Sequence, residues 1–354
     1  MSSPEPRPGN GYVVREKLGK GTWKETYRAV FEGEWHDRAL LRFRKPPSVE
    51  VLLSELKQLD KLSANPPKNV AKIYGAFRGD DGGVYLAEEL LSRSLDKITP
   101  LRSGARFMGF ARDLCAGLAA LHNAGILHTD IKLENCGIDF AYCAKIFDLG
   151  CATREGSKAE GSILTWAPEL FGQQTTCTKD TDVWALGATL FALRTGDYPF
   201  ATAAEWRNRP SQSKQERGAF DAKVRGRARE AHAEANLRDR LRVAFPEGPR
   251  ELLGSMLHFD ATKRPTAHDA NESWENLIMD WLAPPKKESR NEDAVATEIE
   301  QYLLAVSDGS VGMSTTQWAK TVSVVERIER AKIDKSRVER IQDLLKRVKK
   351  IRAR

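Results

Sequence analysis

The run His128-Thr129-Asp130-Ile131-Lys132-Leu133-Glu134-Asn135, followed by Asp148-Leu149-Gly150, constrains this chain more than any other feature. It puts a carboxylate, an ammonium, a side-chain amide and a second carboxylate on two neighbouring loops. Asp148 lies 18 residues after Asp130, and the flanks Ile138-Asp139-Phe140 and Ala144-Lys145-Ile146-Phe147 read as a short hairpin between them. Such a set suits phosphoryl transfer from a metal–nucleotide complex. Asp130 can orient a hydroxyl and accept its proton, and Lys132 can neutralise charge on the moving phosphoryl group. Asn135 and Asp148 offer the hard oxygen ligands that Mg²⁺ prefers.

These residues, in this order and spacing, resemble the eukaryotic-type Ser/Thr protein kinases, whose catalytic loop reads H-R-D-x-x-x-x-N and whose metal loop reads D-F-G. More of the pattern stands on both sides. Leu18-Gly19-Lys20-Gly21-Thr22-Trp23-Lys24 lies between the strand-like stretches Tyr12 to Lys17 and Thr26 to Phe31 and resembles the kinase glycine-rich loop. Glycines there let backbone N–H groups close over phosphates. Gly161-Ser162-Ile163-Leu164-Thr165-Trp166-Ala167-Pro168-Glu169 resembles the substrate-docking end of an activation segment, with Ser162 in reach of Asp130 and Lys132. Asp182, in Thr181-Asp182-Val183-Trp184-Ala185-Leu186-Gly187, matches the acid that braces the catalytic loop. Arg264, in Lys263-Arg264-Pro265-Thr266, matches the arginine that pairs with the A-P-E glutamate, here Glu169.

The resemblance covers about residues 11–283. It implies an α+β, bilobal protein kinase-like fold with a β-rich amino lobe over 11–91 and an α-rich carboxy lobe over 92–283. It implies ATP with Mg²⁺ as cofactors, Mn²⁺ as a second candidate ion, and a protein substrate. Lys132, two residues after Asp130, points to Ser/Thr rather than Tyr acceptors.

The sequence departs from the pattern twice. The third glycine position of the loop holds Lys24, and the strand Ala39-Leu40-Leu41-Arg42 has arginine where V-A-I-K carries the phosphate-pairing lysine. Arginine is bulkier, planar and bidentate, so it does not replace a point charge. The strict reading is a crippled site. The other is relocation, as in the with-no-lysine kinases, which carry the ammonium at the last glycine position. On that reading Lys24 meets the α/β-phosphates, and Leu18, Gly19 and Gly21 line the nucleotide.

By the same resemblance Glu55, in the helical stretch 51–59, pairs with Lys24 or Arg42. Glu88-Glu89-Leu90-Leu91 forms the connection whose backbone meets adenine, with Glu89 and Leu91 as contacts. That places an acid, Glu88, at the back of the pocket, for which the sequence offers no reason. Phe107 to Ala124 has apolar residues at 107, 110, 111, 114, 118 and 121, which predicts an amphipathic helix beneath the catalytic loop. Thr129 replaces the arginine that normally receives a phosphorylated activation segment. Activity is therefore expected to be equal before and after phosphatase treatment; a loss would count against this.

Composition narrows the remaining choices. The chain has 354 residues, 41% hydrophobic, and no apolar run near the roughly 18 residues a membrane span requires. Residues 1–10 are polar and Pro-rich and read as a disordered tip. Five cysteines without metal spacing, Cys115, Cys136, Cys143, Cys151 and Cys177, suggest reduced thiols in a cytoplasmic setting. The net charge of +7 belongs to the tail: from Trp318 onward there are 13 Lys/Arg against 5 Asp/Glu. The Arg-rich stretch 201–245, with Arg225, Arg227 and Arg229, reads as a solvated helix and loop, with docking of an acidic substrate or partner as the alternative.

Residues 284–354 are expected to form a basic helical extension, with a linker over 284–293 and helices near 294–306, 315–332 and 335–351. Ser314 and Gln317 look like a capping box. Val338, Ile341, Leu345 and Val348 form a narrow apolar stripe. It needs a partner: the catalytic part of the chain, a partner helix, or self-association through 315–351. The basic face could meet nucleic acid or an acidic membrane surface, but no aromatic residues interleave the charges and a solvated face is favoured.

The function that follows is ATP-dependent phosphorylation of a protein Ser or Thr, including the chain itself. The alternative is a pseudokinase acting as a nucleotide-binding scaffold through its tail. A small-molecule phosphotransferase is disfavoured by the Ala167-Pro168-Glu169 segment.

Overall fold

The computed structural model describes residues 6–20, 24–44, 66–149, 156–157, 161–172, 176–202, 204–205, 214–282, 292–307, 313, 315–330 and 333–352. The amino-terminal part is a five-stranded antiparallel sheet of β1 (Tyr12–Lys20), β2 (Lys24–Phe31), β3 (Asp37–Phe43), β4 (Ile73–Arg78) and β5 (Val84–Glu89), in the order β1-β2-β3-β5-β4. Side chains alternate between its two faces. Tyr27, Ala29, Leu40, Tyr85 and Ala87 form an apolar cluster on one face, and Ala39, Leu41, Leu86 and Leu90 form another on the opposite one. The register pairs Lys24 with Phe43, Thr26 with Leu41, and Ala39 with Glu88, so these six residues share the second face. That face looks toward the carboxy lobe.

Residues 6–10, which composition assigned to a loose tip, instead lie against the turn between β4 and β5. The Asp81 N–H donates to the Arg7 carbonyl and the Arg7 N–H to the Asp81 carboxylate. Gly79 makes the approach possible: a Cβ there would stand 2.9 Å from the Arg7 carbonyl oxygen.

The carboxy lobe is helical around one large core. A second small sheet joins β6 (Arg93–Ser94), β7 (Cys136–Ile138) and β8 (Ala144–Ile146), the last two being the expected hairpin. Helix α1 (Gly104–Asn123) is capped by Ser103, whose hydroxyl accepts the Arg106 N–H. Its six expected apolar positions are all buried. Helix α2 (Lys179–Thr195) opens with a reciprocal Thr178–Thr181 capping box and ends at Gly196, whose φ of +85° suits glycine. Helices α3 (Lys214–Ala228), α4 (Ala233–Ala244), α5 (Glu247–Met256) and α6 (Ala267–Leu282) complete the lobe.

The arginines of the 201–245 stretch are largely engaged. Arg227 binds Glu205 through two hydrogen bonds of 2.7 and 2.8 Å, Arg229 donates to the Phe171 carbonyl, and Arg225 stacks on Trp166.

The extension forms α7 (Glu292–Ser307), α8 (Thr315–Arg330) and α9 (Lys335–Arg352). It packs on the carboxy lobe, with α7 touching α1 and α8 touching α6. Arg112 of α1 links the two parts by donating to the Gln317 side chain at 3.1 Å. The apolar stripe finds its partner inside the chain. Ile341, Leu344 and Val348 are buried, Val338 and Leu345 are half-buried, and α9 lies against α7. Ser314 lies outside the described residues, as does most of the expected linker. No helix among the described residues is long and apolar enough to cross a membrane.

Candidate active site

The catalytic loop is held from below by one carboxylate. Asp182, fully buried in the first turn of α2, accepts the backbone N–H groups of His128 and Thr129 at 2.8 and 2.9 Å and lies 3.2 Å from His122 Nε2. These bonds fix Thr129 at φ +61°, a conformation rare outside glycine. His128 Nε2 lies 3.0 Å from the Phe147 carbonyl and ties the loop to the strand leading to Asp148.

Asp130 is oriented by three groups. Its Oδ1 accepts the Ser162 backbone N–H at 2.8 Å, and its Oδ2 accepts from Lys132 Nζ and, at 3.0 Å, from Asn135 Nδ2. Ser162 thus reaches Asp130 through its main chain rather than its hydroxyl. Gly161 permits that approach, with φ +98° and a Cβ position that would stand 2.7 Å from Asp130 Oδ1. Asn135 Nδ2 also donates to the Asp130 carbonyl at 2.9 Å. The amide nitrogen is therefore committed to the loop, which leaves the amide oxygen as the group to offer a cation.

Asp148 stands opposite at φ +59°. Its Oδ1 accepts from Lys24 Nζ at 2.6 Å, an ion pair between residues 124 apart that joins the roof of the cleft to its floor. Lys24 is largely buried and its ammonium lies 5.1 Å from the Phe43 ring centroid. Asn135 and Asp148 together present hard oxygens without sulfur or imidazole, a donor set that fits Mg²⁺ better than a softer ion.

Arg42 is elsewhere. It extends from the opposite face of β3 and pairs with Asp81 Oδ2 at 2.7 Å, at the β4–β5 turn. The cleft-facing residue of β3 is Leu41, between Ala39 and Phe43. Matching V-A-I-K to Ala39-Leu40-Leu41-Arg42 thus puts the lysine position one residue too far along. Aligning on the alanine instead gives Leu41. β3 consequently offers no cation to the cleft, and the basic residue that reaches it from this sheet is Lys24.

The other expected nucleotide contacts divide three ways. Leu18 and Gly19 lie on β1, and Leu91 follows β5. Glu89 turns its side chain away from the cleft, where Lys145 donates to both carboxylate oxygens at 2.7 and 2.8 Å. Gly21 and Glu55 lie outside the described residues. Glu88, by contrast, is on the cleft face and 5% exposed. Burial first, then the nearby Asp148, push its carboxyl up to about 8, with Lys24 acting in the other direction.

This raised value has a consequence for stability. The unfolded group titrates near 4.5, so the folded state binds the extra proton between that pH and about 8. The contribution is complete below the lower value and is lost as pH rises through the upper. The unfolding free energy of the nucleotide-free protein, from denaturant titrations, is expected to fall relative to that of Glu88→Gln over this window, by on the order of 5 kcal/mol in all. Parallel curves for the two proteins would contradict this.

Glu169 and Arg264 form the expected pair, bidentate at 2.7 and 2.8 Å. The Arg264 side chain is fully buried, donates also to the His258 and Asp180 carbonyls, and sits 5.0 Å from the Trp184 ring. Glu169→Ala strands that guanidinium and is expected to cost about 3–5 kcal/mol. Arg264→Met leaves a half-exposed carboxylate and should cost less. Chemical denaturation of the two variants reads the difference directly. The buried thiols of Cys115 and Cys136 are pushed up by burial and are poor candidates for chemistry.

A bilobal fold with this constellation defines a phosphotransferase of the protein kinase type, and sequence comparison agrees. The protein kinase domain family model matches residues 12–274, and the chain belongs to that family. Among its curated relatives is a probable cell cycle serine/threonine-protein kinase of Encephalitozoon cuniculi, 31% identical over 204 residues, 53% of this chain and 42% of that protein. A calcium/calmodulin-dependent serine/threonine-protein kinase of Malus domestica is 30% identical over 249 residues, 65% of this chain and 55% of that one. A calcium and calcium/calmodulin-dependent serine/threonine-protein kinase of Pisum sativum is 27% identical over 322 residues, 83% and 56% respectively. The chain thus spans about half the length of these relatives.

Proposed function

We propose that this chain transfers the γ-phosphoryl group of ATP to a Ser or Thr hydroxyl of a protein, with Mg²⁺ as the working ion. The observation that carries the reading is the assembly of Asp130, Lys132, Asn135 and Asp148 on one floor with Lys24 above them. Asp130, fixed on three sides, directs the acceptor hydroxyl and takes its proton. Lys132 neutralises charge developing on the transferred group. Asn135 and Asp148 would hold the ion, which when bound would supply positive charge to offset that of the phosphates. Lys24 supplies the ammonium for the α/β-phosphates in place of a β3 lysine, and Leu18, Gly19, Gly21 and Leu91 line the nucleotide.

Residues 11–91 act as the nucleotide lobe, 92–283 as the substrate lobe, and 284–354 as a brace on the latter. The buried thiols of Cys115, Cys136 and Cys143 favour a reducing compartment such as the cytoplasm.

The test is transfer of label from [γ-³²P]ATP by purified protein to a generic basic protein, followed by phosphoamino-acid analysis. Label on Ser or Thr that depends on a divalent ion is expected. Leu41, where a β3 cation would stand, is the observation that favours a nucleotide-binding scaffold instead. Tight ATP binding without any transfer would establish that second reading.

A further inference from the structure

The last cleft-facing residue of β5 is an acid that nothing in the described fold uses. Glu88 is 5% exposed, and no hydrogen bond or ion pair among the described residues reaches its carboxyl. In register it faces Ala39, with Leu41 and Leu86 next along the same face, all buried and apolar. The charges that reach it are Asp148 and Lys24 in the cleft and its neighbour Glu89. The carboxyl is therefore aimed into the cleft rather than out of the sheet. A buried carboxyl without a partner is unfavourable in any fold, and a ligand that supplies a donor removes the defect.

The position of that ligand group follows from the two ends of the cleft. Lys24, Lys132 and Asp148 mark where phosphates belong. The connection between the lobes begins at Leu90, directly after β5. A nucleotide laid between these marks carries its base past Glu88. Adenine presents an exocyclic 6-amino donor on its edge, whereas guanine and hypoxanthine present a 6-oxo acceptor there.

We infer that Glu88 is a specificity-determining residue that reads the base, one carboxyl oxygen accepting a hydrogen bond from the 6-amino group of adenine. This rests on the kinase reading above and adds to it a side-chain contact to the base. A carboxylate and a carboxylic acid both offer an accepting oxygen, so the contact holds in either protonation state. A 6-oxo base instead sets acceptor against acceptor when the group is ionised, and a base without any 6-substituent leaves the carboxyl unpartnered.

The experiment is a cycle between residue and ligand group. Dissociation constants and kcat/KM are measured for ATP and for purine riboside 5′-triphosphate, which has hydrogen in place of the amino group. The proteins are wild type, Glu88→Gln and Glu88→Met, each first shown to be folded by its thermal transition. Wild type is expected to prefer ATP by about 10- to 100-fold, in line with a buried hydrogen bond to a charged or strongly polar group. Glu88→Met should shrink that preference at least about fivefold, and Glu88→Gln, which keeps an accepting oxygen, should retain most of it.

An unchanged preference in Glu88→Met overturns the inference. So does a wild-type preference below about threefold, a result that needs no variant. In both cases ATP is still turned over and the kinase reading stands. If wild type binds neither nucleotide, the kinase reading itself fails and this contact fails with it.

Discussion

Asp130→Asn is expected to lower phosphotransfer by roughly 10²–10⁴-fold while leaving ATP affinity nearly unchanged. The substitution keeps the shape of the side chain and one accepting oxygen, so the Ser162 N–H or the Asn135 amide can still be satisfied. It removes the group that accepts the hydroxyl proton and half of the Lys132 ion pair. The loss should therefore fall on kcat, measured in single-turnover assays with saturating ATP. A large rise in the KM for ATP with little change in kcat would mean that Asp130 holds the nucleotide rather than directing the acceptor.

Lys24→Met and Arg42→Met should separate two roles that the sequence left entangled. Lys24 reaches the cleft and Arg42 does not. Removing an electrostatic stabiliser of the transferring group typically costs about 10²–10³ in rate, and Lys24→Met is expected to lose that much. Arg42→Met should stay within about threefold of wild type in activity. It should instead lose about 2 kcal/mol of stability, because Asp81 at the β4–β5 turn loses a charged hydrogen-bond partner. Measuring both rate and denaturant midpoint on both variants gives four numbers with opposite patterns. A Lys24→Met protein with full activity would refute the relocation.

The floor of the site was legible because its residues are close in sequence and each side chain has one chemical use. Asp130, Lys132 and Asn135 fall within six positions, and the hairpin that delivers Asp148 follows directly. Helix α1 was equally plain, since its apolar positions repeat with the helical period and all face one core. β3 was harder to read. Leu40 and Leu41 are both buried, on opposite faces of a sheet with apolar clusters on each side, so no alternation marks which of them faces the cleft. A one-residue slip then moves every side chain to the other face, and Arg42 went with it.

Other features depended on contacts a sequence does not display. Ser162 serves Asp130 through a backbone N–H that any residue would supply, so the informative residue was Gly161 beside it. The apolar stripe of α9 was visible from its spacing, but which surface covers it depended on how α7 folds back. Glu88 stood out as an oddity in the sequence. It becomes interpretable only once its burial and its place beside Asp148 and Lys24 are known.

The central claim is that the phosphate-facing ammonium comes from β2 while the floor keeps its metal-binding oxygens. A co-structure with Mg²⁺ and a non-hydrolysable ATP analogue tests it most directly. The expected result has Lys24 Nζ within hydrogen-bonding distance of α- or β-phosphate oxygens, released from Asp148, with the ion on Asn135 and Asp148. Phosphates contacted by Arg42, or by no basic residue of β2, would contradict the account.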